Sequence, residues 1–209
     1  MLAKGGFDRS TLHSNVVEYL RDRIISGDLR AGEPVPERQL SSDLNISRTP
    51  LREALKVLEV EGMIKILPYR GAIVADISSE EADEIMAVLS ALEQFAAIPA
   101  CQKMTDETYA EFVATHQRMV GFYEAHDRSS YSKENVNFHE SIVVCSENAT
   151  ALKTYRTLNY QILRLRYASN LRREDWTRSV TEHEAMIAAI GARDGQTLAN
   201  LLSKHYPIK

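Results

Sequence analysis

The sequence is poor in cysteine, proline and tryptophan, and it has no long apolar run. Its 209 residues include two cysteines, six prolines and one tryptophan. Cys101 and Cys145 lie far apart without CxxC spacing, which argues against a disulfide framework or a zinc ribbon. The sequence contains no run of about 18 apolar residues, so no membrane span is predicted. The start MLAKGGFDRS lacks the apolar core of a signal peptide. We therefore expect a cytoplasmic protein with no membrane partner.

The charge is distributed unevenly along the chain. Hydrophobic residues make up 44% and charged residues 26%, as in an ordinary globular protein of one or two domains. The formal net charge is −4, but residues 1–75 hold 11 basic and 10 acidic residues and residues 76–209 hold 14 and 19. The acidity therefore belongs to the second part. A DNA-binding first part remains compatible with this balance if its basic residues share one surface.

The stretch from residue 36 to residue 74 has the layout of a winged helix-turn-helix. Helical patterns cover about residues 11–26, 37–44 and 48–61, and a hairpin follows the third. Ser47 is a suitable N-cap for the third helix because its hydroxyl can accept a free backbone N–H, while Pro50 fits the first turn and Gly62 the end. This order of elements predicts DNA binding.

The third helix has an apolar face and a basic face. Four apolar residues at helical spacing are expected in the core: Leu51, Ala54, Leu55 and Leu58. A different sector, roughly 100° wide, carries Arg48, Thr49, Arg52 and Lys56. Arginine near a helix N-terminus suits the DNA major groove, where it can bond guanine O6 and N7 together. The alternative is a solvated helix face with scattered charges.

The hairpin strengthens the DNA-binding interpretation. Ile64 and Ile66 alternate with polar Lys65, residues 72–75 form the return strand, and residues 68–71 form the turn. Gly71 would allow the backbone to approach another surface closely, and Arg70 could enter a narrow minor groove. The alternative for Gly71 is a role in turn geometry alone.

These patterns together resemble the N-terminal domain of the GntR family of bacterial transcription regulators. The resemblance rests above all on the run SRTPLREAL, from Ser47 to Leu55, and on Arg70 and Gly71 at the hairpin. It implies DNA-contacting arginines, phosphate- or base-contacting hydroxyls and a wing tip at seven positions: Arg38, Ser47, Arg48, Thr49, Arg52, Arg70 and Gly71.

From Ser78 onward the pattern is helical throughout. Ser78 and Glu81 form a capping box, and further helices are expected at about residues 105–125, 130–144, 149–170, 176–192 and 195–205. The fold is therefore expected to be mostly α, with a small hairpin wing followed by an antiparallel all-α bundle. We divide the chain into a winged DNA-binding domain, residues 1–76, and an effector-binding and dimerisation domain, residues 77–209.

Histidines carry the possible chemistry of the second domain. Asn135 and His139 are four residues apart and share a helix face, and His183 and His205 lie on two later helices. Convergence of the three imidazoles would create a divalent metal site, with the amide oxygen of Asn135 as a weak neutral fourth ligand. The alternative is that they are ordinary core or surface residues. The remaining histidines lack such spacing and are expected at the surface: His13, His116 and His126.

The C-terminal region also resembles the helical effector domain of the FadR subgroup of that family. Many members hold a metal with an aspartate and three histidines. The three histidines are matched here by His139, His183 and His205. Asn135 stands where aspartate is common, which removes a negative ligand, and Leu89 stands where arginine is common. The resemblance implies a divalent ion, zinc or nickel, that helps to bind a small carboxylate.

Two arginines are candidates for contacting that carboxylate. Arg164 and Arg166 lie on the fourth helix of the domain, but they are two residues apart, so at most one is expected to face the pocket. The alternative is that both are surface residues or ion-pair partners. Trp176 is expected to be a core residue.

The leading hypothesis is a ligand-responsive transcription repressor that is not an enzyme. A homodimer would read a two-fold symmetric DNA operator, and a small organic acid would shift the placement of the winged domains. An alternative is a metal-dependent hydrolase that uses the three histidines, with Glu182 or Glu140 as general base. A third possibility is a bundle that binds no metal.

Overall fold

The structure is a computed structural model that describes the backbone of residues 9–168 and 173–206 and the side chains of residues 13–163 and 176–206. The chain divides into two compact units, Met1–Ile77 and Ser78–Lys209. The first combines helices with a two-stranded sheet, and the second is helical in its described part. The predicted fold class, mostly α with a hairpin wing and a helical bundle, is confirmed.

The first unit is a three-helix core with a hairpin attached. Its elements are α1 (Arg9–Ile25), α2 (Glu37–Asp43), α3 (Arg48–Val60), β1 (Ile64–Leu67) and β2 (Gly71–Val74). The strands pair antiparallel, from Ile64 opposite Val74 to Leu67 opposite Gly71. Apolar residues of all three helices are buried together, among them Leu20, Leu40, Leu51 and Leu58. The predicted apolar face of α3 is confirmed in full.

Two local expectations for this unit differ from the structure. Ser47 is the N-cap of α3 with an extended backbone, but its side chain makes no capping hydrogen bond. The first N–H groups of α3 therefore remain available to an external acceptor, such as a phosphate. The alternation of Ile64 and Ile66 with Lys65 predicts one apolar strand face, yet Ile64 is buried and Ile66 is exposed, because the outer half of the hairpin extends beyond the core.

Six helices make up the described residues of the second unit. They are α4 (Ser79–Lys103), α5 (Asp106–Glu124), α6 (Arg128–Cys145), α7 (Ala149–Ala168), α8 (Arg173–Gly191) and α9 (Gly195–His205). Side-chain caps fix the starts of five of them. In each case the residue before the helix accepts a backbone N–H from three residues ahead, and these residues are Ser78, Thr105, Asp127, Asn148 and Asp194. The Asp127 cap starts α6 two residues before the predicted position.

Helix α4 lies at the centre of this bundle. It packs against α6, α7 and α9, and its contact with α9 is so close that a Cβ on Gly195 would lie 2.5 Å from the Ile98 Cα. An 18-residue window of α4 has a mean hydropathy of 1.3, and 44% of that window is buried. By length and composition alone such a helix could cross a membrane, but the core helix of a bundle meets the same criterion. The helix also carries the buried carboxylate of Glu93, which accepts hydrogen bonds from Tyr155 and Tyr206 within the bundle.

Candidate DNA-binding face and candidate metal centre

The exposed side of α3 and its neighbours carries the residues predicted to contact DNA. Arg38, Ser47, Arg48, Thr49, Arg52 and Arg70 are exposed, whereas Gly71 is half-buried as the first residue of β2. Within the described part of the chain, Arg38, Arg48 and Arg70 have no carboxylate partner. Their charges are therefore available to an anionic surface. Free basic side chains can neutralise DNA phosphates and release the counter-ions bound to them, which favours binding.

Arg52 differs from these arginines because a carboxylate holds it. Its Nε lies 3.3 Å from Glu37 Oε2, and the Arg52 side chain is 64% exposed while that of Glu37 is 18% exposed. The same carboxylate faces the hairpin, since a Cβ on Gly71 would lie 3.0 Å from Glu37 Oε1. Gly71 also has a φ of 79°, a left-handed conformation that favours glycine, whereas the flexible Glu37 side chain would need only a small shift to admit a Cβ. Glu37 is not among the predicted site residues, yet it begins α2, pairs with Arg52 of α3 and faces the wing at Gly71.

A buried ion pair fixes the rear of α3. Arg21 of α1 reaches Glu61, just after α3, with Nη2 at 2.7 Å from Oε1 and Nε at 3.3 Å from Oε2. The side chains are 8% and 14% exposed. Such a two-point contact orients the two helices as well as attracting them. The sequence does contain a signal for this pair, because Arg21 lies on the otherwise apolar face of α1 and a buried arginine needs an acidic partner.

Three histidine side chains of the second unit converge in the bundle interior. His139 on α6, His183 on α8 and His205 on α9 each offer one ring nitrogen, and these atoms all lie within 4.8 Å of one another. The Nε2 atom of His139 is 3.1 Å from that of His183 and 3.2 Å from that of His205. The first two residues are fully buried, and the His205 side chain is 8% exposed. Helices far apart in sequence thus bring together the three predicted histidines.

The other nitrogen of each ring meets a polar oxygen. Glu93 Oε2 lies 2.9 Å from His139 Nδ1, and Glu182 Oε2 lies 2.6 Å from His205 Nδ1. Ser179 Oγ is 3.4 Å from His183 Nδ1. A carboxylate can only accept, so the Nδ1 atoms that face Glu93 and Glu182 carry the hydrogens. In their neutral forms, these two rings then present Nε2 lone pairs to the centre of the cluster, as metal-binding histidines do.

The ionisation of the surrounding groups favours a cation at this point. Burial, together with the neighbouring His139 and His205, lowers the pKa of His183 well below its usual value. Burial alone would raise the pKa of Glu93, but the interactions with His139, Tyr206 and Tyr155 outweigh it and lower the pKa. The neutral His183 imidazole can therefore accept a metal ion without first losing a proton.

Asn135 has the properties required of a further ligand. It lies one turn before His139 on α6, and its Oδ1 is buried without a hydrogen-bond partner among the described residues. An unsatisfied buried carbonyl oxygen is costly unless a ligand, ion or water meets it. Three converging imidazole nitrogens suit a divalent transition metal, and the unpartnered amide oxygen one turn away on α6 is of a type that could join them.

The other three histidines do not all lie at the surface. His116 was expected at the surface, but it is half-buried, its Nε2 is buried without a described partner, and its charge helps to lower the pKa of His183. That expectation was wrong because α5 packs against α8 and turns this residue inward. His13 is half-buried as well, whereas His126 is exposed as expected.

Other predicted positions have mixed outcomes. Trp176 is buried and meets the rings of Tyr123 and Tyr131 edge-on, as expected for a core residue. Leu89 is fully buried among apolar residues. The side chains of Arg164 and Arg166 lie outside the described residues.

The chain matches two family models, one in each unit. Residues 12–74 match the model for bacterial regulatory proteins of the gntR family, and residues 84–207 match the FCD domain. The chain is 29% identical over 203 residues to a gluconate operon transcriptional repressor of Bacillus licheniformis, covering 95% of this chain and 83% of the relative. It is 32% identical over 163 residues to the Nta operon transcriptional regulator of Aminobacter aminovorans, covering 77% and 73%.

Solved structures show the same fold. Escherichia coli McbR/YncC aligns with a TM-score of 0.81 at 21% identity, covering 98% of this chain and 94% of that one. A GntR transcriptional regulator of Rhodococcus sp. RHA1 aligns with a TM-score of 0.76 at 19% identity, covering 92% of each chain.

Proposed function

Because the chain belongs to the GntR family of bacterial transcription regulators and carries an FCD domain, we propose that it is a ligand-responsive repressor that acts in the bacterial cytoplasm. The observation that carries the proposal is the exposed face of α3, where Arg48, Thr49 and Arg52 stand beside a helix N-terminus without a side-chain cap. The relatives with assigned names are regulators of transcription, and several are repressors.

We assign DNA contacts to the seven predicted positions. Helix α3 enters the major groove, where Arg48 reads a base edge and Arg52 follows once it leaves Glu37. Ser47 and Thr49 bind phosphates together with the free N–H groups of α3. Arg38 contacts the DNA backbone, and Arg70 at the wing reaches the minor groove, while Gly71 lets the wing pack against Glu37.

Helix α4 offers a surface for a second copy of the chain. Val88, Phe95 and Ile98 are 48%, 59% and 42% exposed, and exposed Ala91 lies between them at the spacing of one helix face. Pairing this apolar stripe with its own copy across a two-fold axis would remove it from water. Such a homodimer presents two α3 helices to a two-fold symmetric operator.

The histidine cluster is assigned as a metal site. His139, His183 and His205 would hold a divalent ion, zinc or nickel, with Asn135 as a neutral fourth ligand. The ion would supply positive charge to bind the carboxylate of a small organic acid, the proposed effector. Glu93 and Glu182 would fix the ring orientations of His139 and His205. Arg164 and Arg166 remain candidates for a second contact to the effector.

A hydrolase is the less favoured reading. Glu182 is bonded to His205, and Glu140 pairs with Arg156 at 2.7 Å, so both proposed general bases have other partners. The named relatives are regulators, and a hydrolytic role would leave the winged unit without a purpose.

DNA selection followed by metal analysis tests the proposed function. The full-length protein, purified without a histidine tag, should enrich a palindromic sequence from a random duplex pool. It should also retain close to one equivalent of zinc or nickel per chain. Enrichment without metal would refute the metal assignment alone, while failure to enrich any sequence would refute the repressor assignment.

A further inference from the structure

Tyr69 occupies the tip of the wing with a fully exposed side chain on a left-handed backbone. Its relative exposure is 108%, and its φ is 62°. The Arg70 N–H donates to the Leu67 carbonyl at 3.1 Å, so Pro68 and Tyr69 are the central residues of a four-residue turn. A turn with proline in its second position and a positive φ in its third is a type II turn. The third position of such a turn, here Tyr69, is normally glycine or asparagine. The turn thus holds a large aromatic residue against its backbone preference.

The other non-glycine residues with a positive φ have a local structural reason for it. They are Asn45, His126, Glu147 and Arg193. Each follows the last turn of a helix and donates its backbone N–H to a carbonyl of that turn, which is how left-handed residues end helices. Among the described residues, Tyr69 is the one non-glycine residue with a positive φ that does not end a helix.

The surroundings of the Tyr69 ring suit an anionic polymer. A groove of about 430 Å³ separates the wing from α3, and its lining includes Tyr69 on one side and Arg52 and Lys56 on the other. Its described lining contains one carboxylate, Glu37, which is already paired with Arg52. Arg70 follows Tyr69 directly and is exposed. Arg52 and Lys56 pair with Glu37 and Glu53, whereas Arg70 has no carboxylate partner among the described residues. The Tyr69 ring therefore projects beside the available charge of Arg70, on the face that presents α3.

We propose that Tyr69 contacts the DNA, with its ring against the deoxyribose wall of the minor groove and its hydroxyl donating to a backbone phosphate. This inference rests on the proposed DNA-binding function. A tyrosine has few rotatable bonds, so it provides a large contact surface at low entropic cost. The left-handed backbone fixes the direction of the Tyr69 Cα–Cβ bond before DNA arrives, which limits the positions open to the ring and reduces the ordering cost of binding. A contact with sugar and phosphate strengthens binding without reading sequence.

The replacement Tyr69→Asn tests the proposal in the full-length chain. Asparagine tolerates a left-handed backbone, so the melting temperature should stay the same or rise by a few degrees. Affinity should fall by about tenfold, both for the duplex that the wild type enriches from a random pool and for a scrambled duplex of equal length. The slope of log K against log salt should not change, because no charge is lost. Tyr69→Phe, which keeps the ring, should show a smaller loss of affinity.

Two further variants make the outcomes distinguishable. Val60→Ser changes another exposed apolar residue, 78% exposed at the far end of α3, and should leave affinity unchanged. Arg48→Ala tests the major-groove assignment independently. Binding by Tyr69→Asn as tight as that of the wild type, while Arg48→Ala binds weakly, would overturn the tyrosine proposal alone. A loss of affinity with a lowered melting temperature would also overturn it, because the residue would then be structural.

Discussion

Replacing Glu93 by glutamine should abolish most of the metal affinity that we propose for the histidine cluster, without unfolding the bundle. Glu93 is fully buried. Its Oε2 lies 2.9 Å from His139 Nδ1, and its Oε1 accepts from the hydroxyls of Tyr155 at 2.9 Å and Tyr206 at 2.6 Å. Glutamine has the same shape, so packing is preserved, but its amide group has a donor end and an acceptor end.

Either orientation of the amide disturbs the site. If the carbonyl keeps the two tyrosine hydroxyls, the NH₂ group faces His139 Nδ1 and makes it an acceptor. The ring hydrogen then moves to Nε2, which points into the cluster and can no longer bind a metal. If the amide turns round, the tyrosine hydroxyls must turn away from two N–H donors. Loss of such an orienting partner typically lowers metal affinity by about 10–100-fold, or roughly 1.4–2.7 kcal/mol.

The measurement is a competition titration of the metal-free protein with a chelator of known affinity, for zinc and for nickel. Thermal unfolding in excess chelator provides the fold control, where we expect a change of about 1 kcal/mol or less, because removing a buried charge offsets weaker hydrogen bonds. Glu140→Gln, at a half-buried carboxylate that pairs with Arg156, is the matched control and should bind metal normally. Metal binding by Glu93→Gln within twofold of the wild type would refute the tautomer argument.

Three other replacements test separate parts of the molecule. Arg48→Ala should weaken binding to the selected duplex by about 1–3 kcal/mol and relax specificity at one base position. Fluorescence anisotropy with single-base variants of the duplex measures this, and the same base preferences in the wild type and in Arg48→Ala would show that Arg48 reads no base. Arg21→Ala should destabilise the protein by about 2–4 kcal/mol, because it leaves the nearly buried Glu61 carboxylate without its main partner; urea unfolding measures this, and a change below about 0.5 kcal/mol would contradict it. Phe95→Glu should convert the proposed homodimer to a monomer by placing a charge in the apolar stripe of α4; light scattering checks the mass, and an intact dimer would locate the interface elsewhere.

Local patterns were sufficient where short-range physics dominates. The helices of the winged unit, the buried face of α3 and the Ser78 cap follow from residue spacing and capping chemistry within a few positions. The same reasoning was wrong for His13 and His116, which were expected at the surface and are half-buried. Each of these depends on which segment lies opposite, and nothing near the residue in sequence carries that information.

The sequence by itself determined the order of elements, the basic face of α3 and the three histidines as candidates, because periodicity and residue chemistry are written along the chain. Only the tertiary structure decided that these histidines converge, that Glu93 and Glu182 fix two of their rings, and that Glu37 lies between Arg52 and Gly71. The partners in each case come from different helices or from a helix and the wing. Their proximity arises from packing of apolar faces, which fixes the positions of polar groups that the sequence lists without relating them.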